Sequence, residues 1–237
     1  MRSINNKTAL ITGGTKGIGY GIAESMLKEG MNVVITGRTL EGVNDAVEKL
    51  RELGNVKGIA ADVRDEKDMD EAVKVAMSSF GQLDVLIANA GVGHFGSIES
   101  LSSEQWKETM DINLTGVFNS VKSSLEELKK TNGYIITIAS LAGTNFFAGG
   151  TAYNASKFGL VGFTQALMLD VRQQGINVST IMPGSVATYF NGHIPDDADA
   201  WKIQPEDIGQ ITVDLLKLDP RTLPSKIEVR PSQPPRG

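Results

Sequence analysis

The chain contains no cysteine and only two histidines among its 237 residues. Without cysteine, disulfides, thiolate catalysis and thiol-rich metal sites are excluded. The two histidines, His94 and His193, have no second His, Cys or acidic partner at metal-ligand spacing. We therefore predict no metal site and assign neither histidine a catalytic role.

Long hydrophobic runs and a strong positive charge are also missing. No run reaches the roughly 18 apolar residues that a membrane-spanning helix needs. The opening segment Met1 to Lys7 is polar and carries no apolar signal-peptide stretch, which predicts a cytoplasmic location. The net charge of −5 argues against nucleic acid as a partner. The sequence instead predicts a small-molecule substrate.

Short β-branched runs alternate with longer segments of helical period, which is the pattern of βα units in a parallel sheet. Several runs are apolar along their whole length, as in strands covered by helices on both faces. We predict one α/β domain over residues 1–237, with a doubly wound parallel (Rossmann) sheet of about seven strands and a proline-rich surface tail at 231–237. The predicted strands lie near Thr8–Thr12, Asn32–Thr36, Val56–Ala60, Val85–Ala88, Tyr134–Ile138, Asn177–Met182 and Lys226–Val229.

A glycine cluster follows the first predicted strand and leads into a helix. The spacing of Gly13, Gly17 and Gly19 differs from GxGxxG, but glycine at these positions can serve the same purpose as in that motif. Glycine permits a tight turn and lets the backbone approach a pyrophosphate, whose charge then sits at a helix N-terminus. A plain turn is the alternative reading, and the position after the first strand of a βαβ unit argues against it.

The end of the second predicted strand indicates which dinucleotide binds. NAD-binding units place a carboxylate there for the ribose hydroxyls, whereas this chain has Thr36, Gly37 and Arg38. Arg38 can pair with a 2′-phosphate, and Lys16 can supply a second cation. Although both bases could simply be solvated surface charges, the missing acid favours NADP(H). Asp62, after the third strand, either accepts the adenine amino group's hydrogen bond or caps the next helix.

Tyr153 and Lys157 are four residues apart, so a helix places them on one face. A free tyrosine has a pKa near 10 and needs nearby positive charge to exchange protons readily at pH 7. Lys157 can supply that charge. Ser140 ends the fifth predicted strand at the carboxyl edge of the sheet, although a serine there can equally cap a turn.

Together these motifs resemble the short-chain dehydrogenase/reductase family over essentially the whole sequence. The resemblance rests on the glycine loop, Asn113, Ser140, Tyr153 and Lys157. It also rests on the segments Asn89-Ala90-Gly91 and Pro183-Gly184, in the same order as in the family.

The resemblance implies a catalytic set. Tyr153 would be the acid in carbonyl reduction and the base in alcohol oxidation, while Ser140 would hold the reacting oxygen. Lys157 would lower the pKa of Tyr153 and bind the nicotinamide ribose. Asn113 would sustain a water relay through Lys157, and its alternative role is a backbone-bonding side chain in a kinked helix.

The same resemblance implies where the coenzyme lies. Asn89, Ala90 and Gly91 would line the adenosine ribose, and Pro183, Gly184 and Thr188 would position the nicotinamide carboxamide. The predicted cofactor contacts are Gly13, Thr15, Lys16, Gly17, Ile18, Gly19, Arg38, Asp62, Val63, Asn89, Ala90, Gly91, Tyr153, Lys157, Pro183, Gly184 and Thr188.

The segment 185–203 resembles the family's substrate lid, where His193 could touch substrate. Four aromatic side chains suggest an apolar lining, or else core packing: Phe146, Phe147, Tyr189 and Phe190. The family pairs subunits through two long helices, which here end at Lys130 and begin at Tyr153, so we predict a homodimer or homotetramer. Apolar residues of these helices either form that interface or cover the sheet: Val117, Phe118, Leu160, Phe163 and Leu167.

The predicted function is an NADPH-dependent oxidoreductase that reduces a ketone or aldehyde, acting on a small-molecule carbonyl or alcohol. A 3-oxoacyl thioester is one candidate substrate, although Leu223 to Pro231 lacks the glycine pair usual in the carrier-protein reductases. The alternative is a non-catalytic NADP(H)-binding sensor or scaffold. The four residues Asn113, Ser140, Tyr153 and Lys157 favour the enzyme.

Overall fold

The computed structural model describes residues 3–234. Seven parallel strands form one sheet in the order β3-β2-β1-β4-β5-β6-β7. The strands are β1 (Thr8–Ile11), β2 (Asn32–Gly37), β3 (Val56–Ala60), β4 (Val85–Ala88), β5 (Tyr134–Ile138), β6 (Asn177–Pro183) and β7 (Lys226–Val229). The predicted strands are confirmed to within one residue at each end.

Seven α-helices connect the strands within the described residues. They are α1 (Gly17–Lys28), α2 (Leu40–Leu50), α3 (Glu66–Phe80), α4 (Ser103–Met110), α5 (Gly116–Thr131), α6 (Thr151–Val171) and α7 (Pro205–Lys217). A π-helical turn, Asp111–Thr115, joins α4 to α5. None of the helices in residues 3–234 is long and apolar enough to cross a membrane.

Successive strand residues point to opposite faces of the sheet, and both faces are covered. Leu10 pairs in register with Val34 and Leu86, and all three belong to the core cluster that α3, α5 and α6 also line. Ile11 pairs with Ile35 and belongs to the other cluster, which α1 and α7 line. This two-sided burial explains why the strand sequences are apolar throughout, and it confirms the predicted doubly wound sheet.

The order of strands reverses between β1 and β4, because the chain runs outward from β1 to β3 and then returns to the other side. In such sheets the loops on either side of the reversal separate and leave a crevice beyond the carboxyl ends of the strands. The glycine loop follows β1, and the segment Asn89-Ala90-Gly91 follows β4. The topology therefore opens a crevice between the two.

Some apolar residues of helices α5 and α6 are buried against the sheet, and others are partly exposed to solvent. Val117, Leu160 and Leu167 are buried in the core cluster against the sheet. Phe118 is 47% exposed, and Phe163 is half-buried at the edge of the same cluster. Val117, Leu160 and Leu167 thus cover the sheet, which is one of the two roles predicted for these residues.

The segment after β7 has no regular structure where it is described, and Ser232 to Pro234 are exposed. The last part of the predicted proline-rich tail, residues 235–237, lies outside the described residues. The segment predicted as a lid begins after β6 and contains two short 3₁₀ turns, Phe190–Gly192 and Asp197–Asp199. Val186 and Ile203 pair at its two ends, which closes it into a loop.

Candidate active site

The loops that follow β1, β4, β5 and β6 meet at the carboxyl edge of the sheet. Gly96 N donates to Gly149 O at 2.9 Å, which joins the loops after β4 and β5. On the other side, Thr188 of the loop after β6 packs against Gly17, where an added Cβ would lie 3.3 Å from the threonine Cβ. Residues far apart in sequence are thereby brought into one crevice.

The glycine loop has the conformation that its composition predicts. Gly13 and Gly17 have φ values of 65° and 58°, in the left-handed region that favours glycine. A Cβ on residue 19 would lie 2.5 Å from both Gly13 O and Asn89 Nδ2, so only glycine fits there. Helix α1 begins at Gly17, and its N-terminus faces the crevice as an anion site requires.

Asn89 holds the glycine loop against the end of β4. Its Nδ2 donates to Thr12 O at 2.9 Å and to Gly13 O at 3.0 Å. The Thr12 hydroxyl in turn accepts from Asn89 N and Ala90 N at 3.0 and 3.1 Å. The side chain predicted to line the adenosine ribose is therefore used to fix the loop, while the backbone at Ala90 and Gly91 borders the crevice.

Arg38 follows β2 with its side chain 63% exposed. Its nearest acidic partner, Glu108, is 4.0 Å from Nη1, which leaves the guanidinium available to an anion. Thr15 packs on Gly37, directly before Arg38. Lys16 extends away to the lid, where its ammonium lies 6.0 Å from the centre of the Tyr189 ring.

Asp62 does not cap the helix that follows it, so that alternative is wrong. The N-cap of α3 is Asp65, whose side chain accepts from Lys67 N. Asp62 instead accepts from Arg64 N at 3.0 Å and forms an ion pair with the Arg64 guanidinium. The hydrogen bond from Arg64 holds the pKa of Asp62 below its usual range, against the opposing effect of partial burial.

Two predicted cofactor contacts turn their side chains toward the protein interior. Val63 is buried in a small apolar cluster with Met69 and Ile112, and Ile18 packs on the main core. Pro183 ends β6, and Gly184 N donates to Val229 O at 2.8 Å, which fixes the start of the segment predicted as a lid. These residues can meet a ligand only through exposed backbone or side-chain edges.

Lys157 lies beneath the Tyr153 ring on α6. Its Nζ is 5.7 Å from the ring centre and donates to Ile138 O at 3.0 Å. Burial lowers the pKa of the fully enclosed lysine to about 8. Burial raises the pKa of Tyr153, and interaction with the Ser140 hydroxyl partly offsets this effect. The structure thus brings the predicted phenol, ammonium and hydroxyl together.

Ser140 also performs the capping role that the sequence left open. Its Oγ accepts from Ala142 N at 3.1 Å and begins a 3₁₀ turn, Leu141–Gly143. The Oγ lies 3.5 Å from Pro183 O, which is too long for a strong hydrogen bond. A serine that caps through its lone pair keeps its O–H free for another acceptor.

Asn113 is fully buried in the π-helical turn. Its Oδ1 accepts from Val92 N and its Nδ2 donates to Val92 O, both at 2.8 Å. The same Nδ2 donates to Ser156 Oγ at 3.0 Å. This arrangement matches the alternative of a backbone-bonding asparagine in a distorted helix, and it ties the loop after β4 to α6.

Sequence reasoning missed two residues of α6 that shape the site. Ser156 receives the Asn113 hydrogen bond, and Asn154 braces the loop after β5. Asn154 Nδ2 donates to Ala142 O and Asn145 O at 2.8 Å, and its Oδ1 accepts from Phe147 N at 3.4 Å. Neither role has a signal in the sequence, because each bond joins segments that only the fold brings together.

Both histidines form pairs with acids at the rim of the site. His94 Nε2 is 2.8 Å from Glu108 Oε2, and His193 contacts the buried Asp199, which Lys202 also contacts. Hydrogen bonds from Lys202 and His193 lower the pKa of Asp199 to about 2. Within residues 3–234, no three His, Cys, Asp or Glu side chains are grouped so as to hold a metal ion.

Burial of Lys157 makes a prediction about stability in the absence of coenzyme. The folded-state pKa is about 8 and the ordinary value is 10.5, so the unfolded chain binds the proton more tightly. Burial of the charged lysine therefore lowers the free energy of unfolding. This penalty is fully present below pH 8 and disappears as the pH rises through 10.5. Lys157→Met should therefore raise the free energy of unfolding by roughly 3 kcal/mol at pH 7.

Urea unfolding of both proteins at pH 7 and pH 10.5 measures this difference. Lys49→Met, on the exposed face of α2, controls for the loss of one positive charge. A stabilisation by Lys157→Met that stays the same at both pH values would contradict a burial penalty on the ammonium.

Comparison with known proteins supports the family resemblance along the chain. The family model for short chain dehydrogenases matches residues 7–199. A putative ketoacyl reductase from Streptomyces coelicolor is 35% identical over 212 residues, which cover 87% of this chain and 81% of that protein.

Solved structures of similar proteins superpose over nearly the whole chain. An alcohol dehydrogenase from the archaeon Thermococcus sibiricus, complexed with 5-hydroxy-NADP, is 28% identical with a TM-score of 0.90, covering 98% of this chain and 99% of that one. A 3-ketoacyl-(acyl-carrier-protein) reductase from Brucella melitensis, complexed with NADH, is 26% identical with a TM-score of 0.87, covering 97% and 99%. Three further solved relatives, 28–30% identical, are complexes with NADP or NADPH. As its motifs predict, the chain belongs to the short chain dehydrogenase family of oxidoreductases.

Proposed function

We propose that this enzyme is an NADPH-dependent reductase of a ketone or aldehyde, with Tyr153 as the acid. The observation that carries the proposal is the Tyr153 phenol above the buried Lys157 ammonium, beside the Ser140 hydroxyl. A 3-oxoacyl thioester is one substrate candidate, since the Streptomyces relative is named as a ketoacyl reductase. The enzyme reading replaces the sensor alternative because the family is one of dehydrogenases.

The residues present fit a dinucleotide. Gly13 and Gly19 leave a cradle without side chains at the N-terminus of α1, and Arg38 offers an exposed cation at the end of β2. Lys157 has one protein acceptor among the described residues, Ile138 O, so two of its three N–H groups remain for ligand hydroxyls. The exposed Arg38 side chain favours NADP(H) over NAD(H). Four solved relatives are complexes with NADP, NADPH or 5-hydroxy-NADP, whereas the Brucella reductase was solved with NADH.

NADPH, when bound, supplies the hydride that reduces the carbonyl carbon. Ser140 donates its free O–H to the carbonyl oxygen and holds it near the phenol. Tyr153 then transfers its proton to that oxygen and becomes a phenolate. Lys157 stabilises the phenolate, because its buried positive charge lies close by, where bulk solvent screens it little.

The proposed route for returning a proton to Tyr153 passes beside Gly91. A Cβ on that residue would lie 3.3 Å from Asn113 Oδ1 and 3.7 Å from Lys157 Nζ. The missing side chain leaves space between the two polar groups. Because Asn113 Oδ1 uses one lone pair for Val92 N, its second lone pair can accept from a water that also contacts Lys157.

The proposed acid makes a direct prediction. Tyr153→Phe should lower kcat by roughly 10²- to 10⁴-fold, because the phenyl ring cannot donate a proton, and should leave the Kd for NADPH within about twofold. Ketone-dependent NADPH oxidation and fluorescence titration measure the two quantities. The matched control is Tyr134→Phe, which removes a buried hydroxyl bonded to Ser179 at the opposite edge of the sheet. NADPH binding without turnover by the unaltered protein would instead favour the sensor reading.

The proposed coenzyme preference depends on Arg38. Arg38→Ala should raise the KM for NADPH by roughly 10- to 100-fold, which is the range expected for hydrogen bonds to a charged group. The KM for NADH should stay within about twofold, because NADH has no 2′-phosphate. Arg51→Ala, at the exposed end of α2, controls for general loss of positive charge. Equal effects of Arg38→Ala on both coenzymes would contradict a 2′-phosphate contact.

We also propose that the chain works as one domain, with residues 185–203 as its lid, and assembles as a homodimer or homotetramer. The support for assembly is an apolar groove of about 340 Å³ on the outer face of α5 and α6. It is lined by Leu114, Thr115, Phe118, Gly159 and Phe163. A second copy presenting the same helices would bury this groove. A cytoplasmic location stays a prediction from the sequence.

Phe118→Asp tests the assembly. A carboxylate in the groove would have to be buried in the interface, so the variant should sediment at micromolar concentration near the chain mass of 25.4 kDa. The unaltered protein should sediment at twice or four times that mass. Leu40→Asp is the control, since Leu40 is 63% exposed on the distant helix α2. A monomeric unaltered protein would exclude the proposed assembly.

A further inference from the structure

Three phenylalanines gather at the Tyr153 ring, one from each of three loops. Phe95 follows β4, and its ring centre is 5.3 Å from that of Tyr153 in an edge-on arrangement. Phe190 comes from the lid and is 5.7 Å from Tyr153. Phe147 follows β5 and lies 6.0 Å from Phe95, which in turn lies 6.3 Å from Phe190. We call Phe95, Phe147 and Phe190 the aromatic clamp.

The clamp is not part of the hydrophobic core. Phe95, Phe147 and Phe190 are 44%, 48% and 38% exposed, respectively. Exposure of a phenyl ring to water costs free energy in proportion to the exposed apolar area. A cluster of three exposed rings beside polar reacting groups is therefore an apolar binding surface. The sequence pointed to Phe147 and Phe190 but gave no reason to include Phe95.

The surrounding backbone holds the clamp in place. A Cβ on residue 93 would lie 2.6 Å from Phe190 Cζ and 3.0 Å from a ring carbon of Phe95, so Gly93 provides the surface on which both rings rest. Asn154, on the same helix as Tyr153, accepts from Phe147 N. Gly93 and Asn154 thus set where the three rings lie relative to the phenol before substrate enters.

The charges near the clamp do not suit an acidic substrate. His94, adjacent to Phe95, is paired with Glu108, and His193, in the lid, contacts Asp199. Lys157 is enclosed beneath Tyr153, and Lys16 lies over Tyr189 beside the coenzyme loop. Among residues 3–234, no lysine or arginine lies over the face of a clamp ring, whereas four other aromatic rings have a lysine above them.

We propose that the clamp binds the flat, uncharged ring of an aryl or cyclic conjugated ketone and presents its carbonyl to Tyr153. This inference rests on the proposed function. Phe190 now lies against Tyr153 and Phe95, so the incoming ring inserts between Phe190 and Tyr153 as the lid moves outward, and Phe190 then packs on the bound ring. A flat ring replaces the edge-on contact between Phe190 and Phe95 and the tilted contact between Phe190 and Tyr153 with aromatic contacts of its own, whereas a puckered ring of the same size does not. Phe95 and Phe190 are therefore specificity-determining residues.

The experiment compares acetophenone with cyclohexyl methyl ketone, which differ in the flatness of the ring and in conjugation of the carbonyl. Because the conjugation is the same for every variant, a change in their ratio reports on the contacts with the ring. The value of kcat/KM for acetophenone divided by that for the cyclohexyl ketone should fall about threefold to fivefold in Phe95→Leu and in Phe190→Leu. In the double variant it should fall about tenfold, mainly through KM for acetophenone. Phe158→Leu is the matched control, because Phe158 is 44% exposed on α6 outside the clamp and should leave the ratio unchanged.

Two outcomes of these assays overturn the clamp. One is a ratio in the double leucine variant equal to that of the unaltered enzyme. The other is a kcat/KM for acetoacetyl-N-acetylcysteamine, or for the acid acetoacetate, that exceeds the value for acetophenone. Either result would show that flat uncharged rings are not what the site selects.

A binding measurement separates failure of the clamp from failure of the proposed function. Benzamide and cyclohexanecarboxamide, which are not reduced, are titrated calorimetrically into the NADP⁺-bound protein. Benzamide should bind about tenfold more tightly, and Phe95→Leu with Phe190→Leu should remove the difference. If no ketone shows Tyr153-dependent turnover, the proposed function fails and this difference still tests the clamp. Equal affinities of the two amides overturn the clamp even if ketones are reduced.

Discussion

A buried ammonium is the constraint around which this site is arranged. Lys157 sits at the carboxyl edge of the sheet with Ile138 O as its protein acceptor, and its pKa falls to about 8. At neutral pH it is still mostly charged, in surroundings that stabilise charge poorly. A nearby phenolate relieves that cost, and so do coenzyme hydroxyls. The position that destabilises the fold without coenzyme is therefore the one that the proposed function uses to stabilise a Tyr153 phenolate.

Three asparagines hold the crevice in shape by bonding backbone groups of loops distant in sequence. Asn89 fixes the glycine loop, Asn113 fixes the loop after β4, and Asn154 fixes the loop after β5. The side-chain amide suits this task because it can donate and accept at once. Since loop backbone at a sheet edge lacks ladder partners, these bonds take the place of secondary structure.

The sequence predicted the strands, the parallel sheet and the residues at the carboxyl edge, because apolar runs and glycine positions are local signals. It could not decide between roles that depend on distant partners. Asp62 and Asp65 both precede α3, and only the local chain path makes Asp65 the cap. Val117 and Phe118 are adjacent apolar residues on α5, yet one is buried against the sheet and the other is half-exposed. Asn154 and Phe95 acquire their roles only from loops that the fold brings together.

Three consecutive residues of segment 185–203, the proposed lid, connect the glycine loop with Tyr153, the proposed acid. Thr188 packs on Gly17, Tyr189 lies under the Lys16 ammonium, and Phe190 covers the Tyr153 ring. The Thr188 hydroxyl accepts from Phe190 N at 3.3 Å, so the first and third of these residues are joined directly. Over so short a stretch, a shift at one contact changes the backbone at the others. The glycine loop, as the proposed pyrophosphate site, and Phe190, the ring that the proposed substrate displaces, are thus linked through residues 188–190.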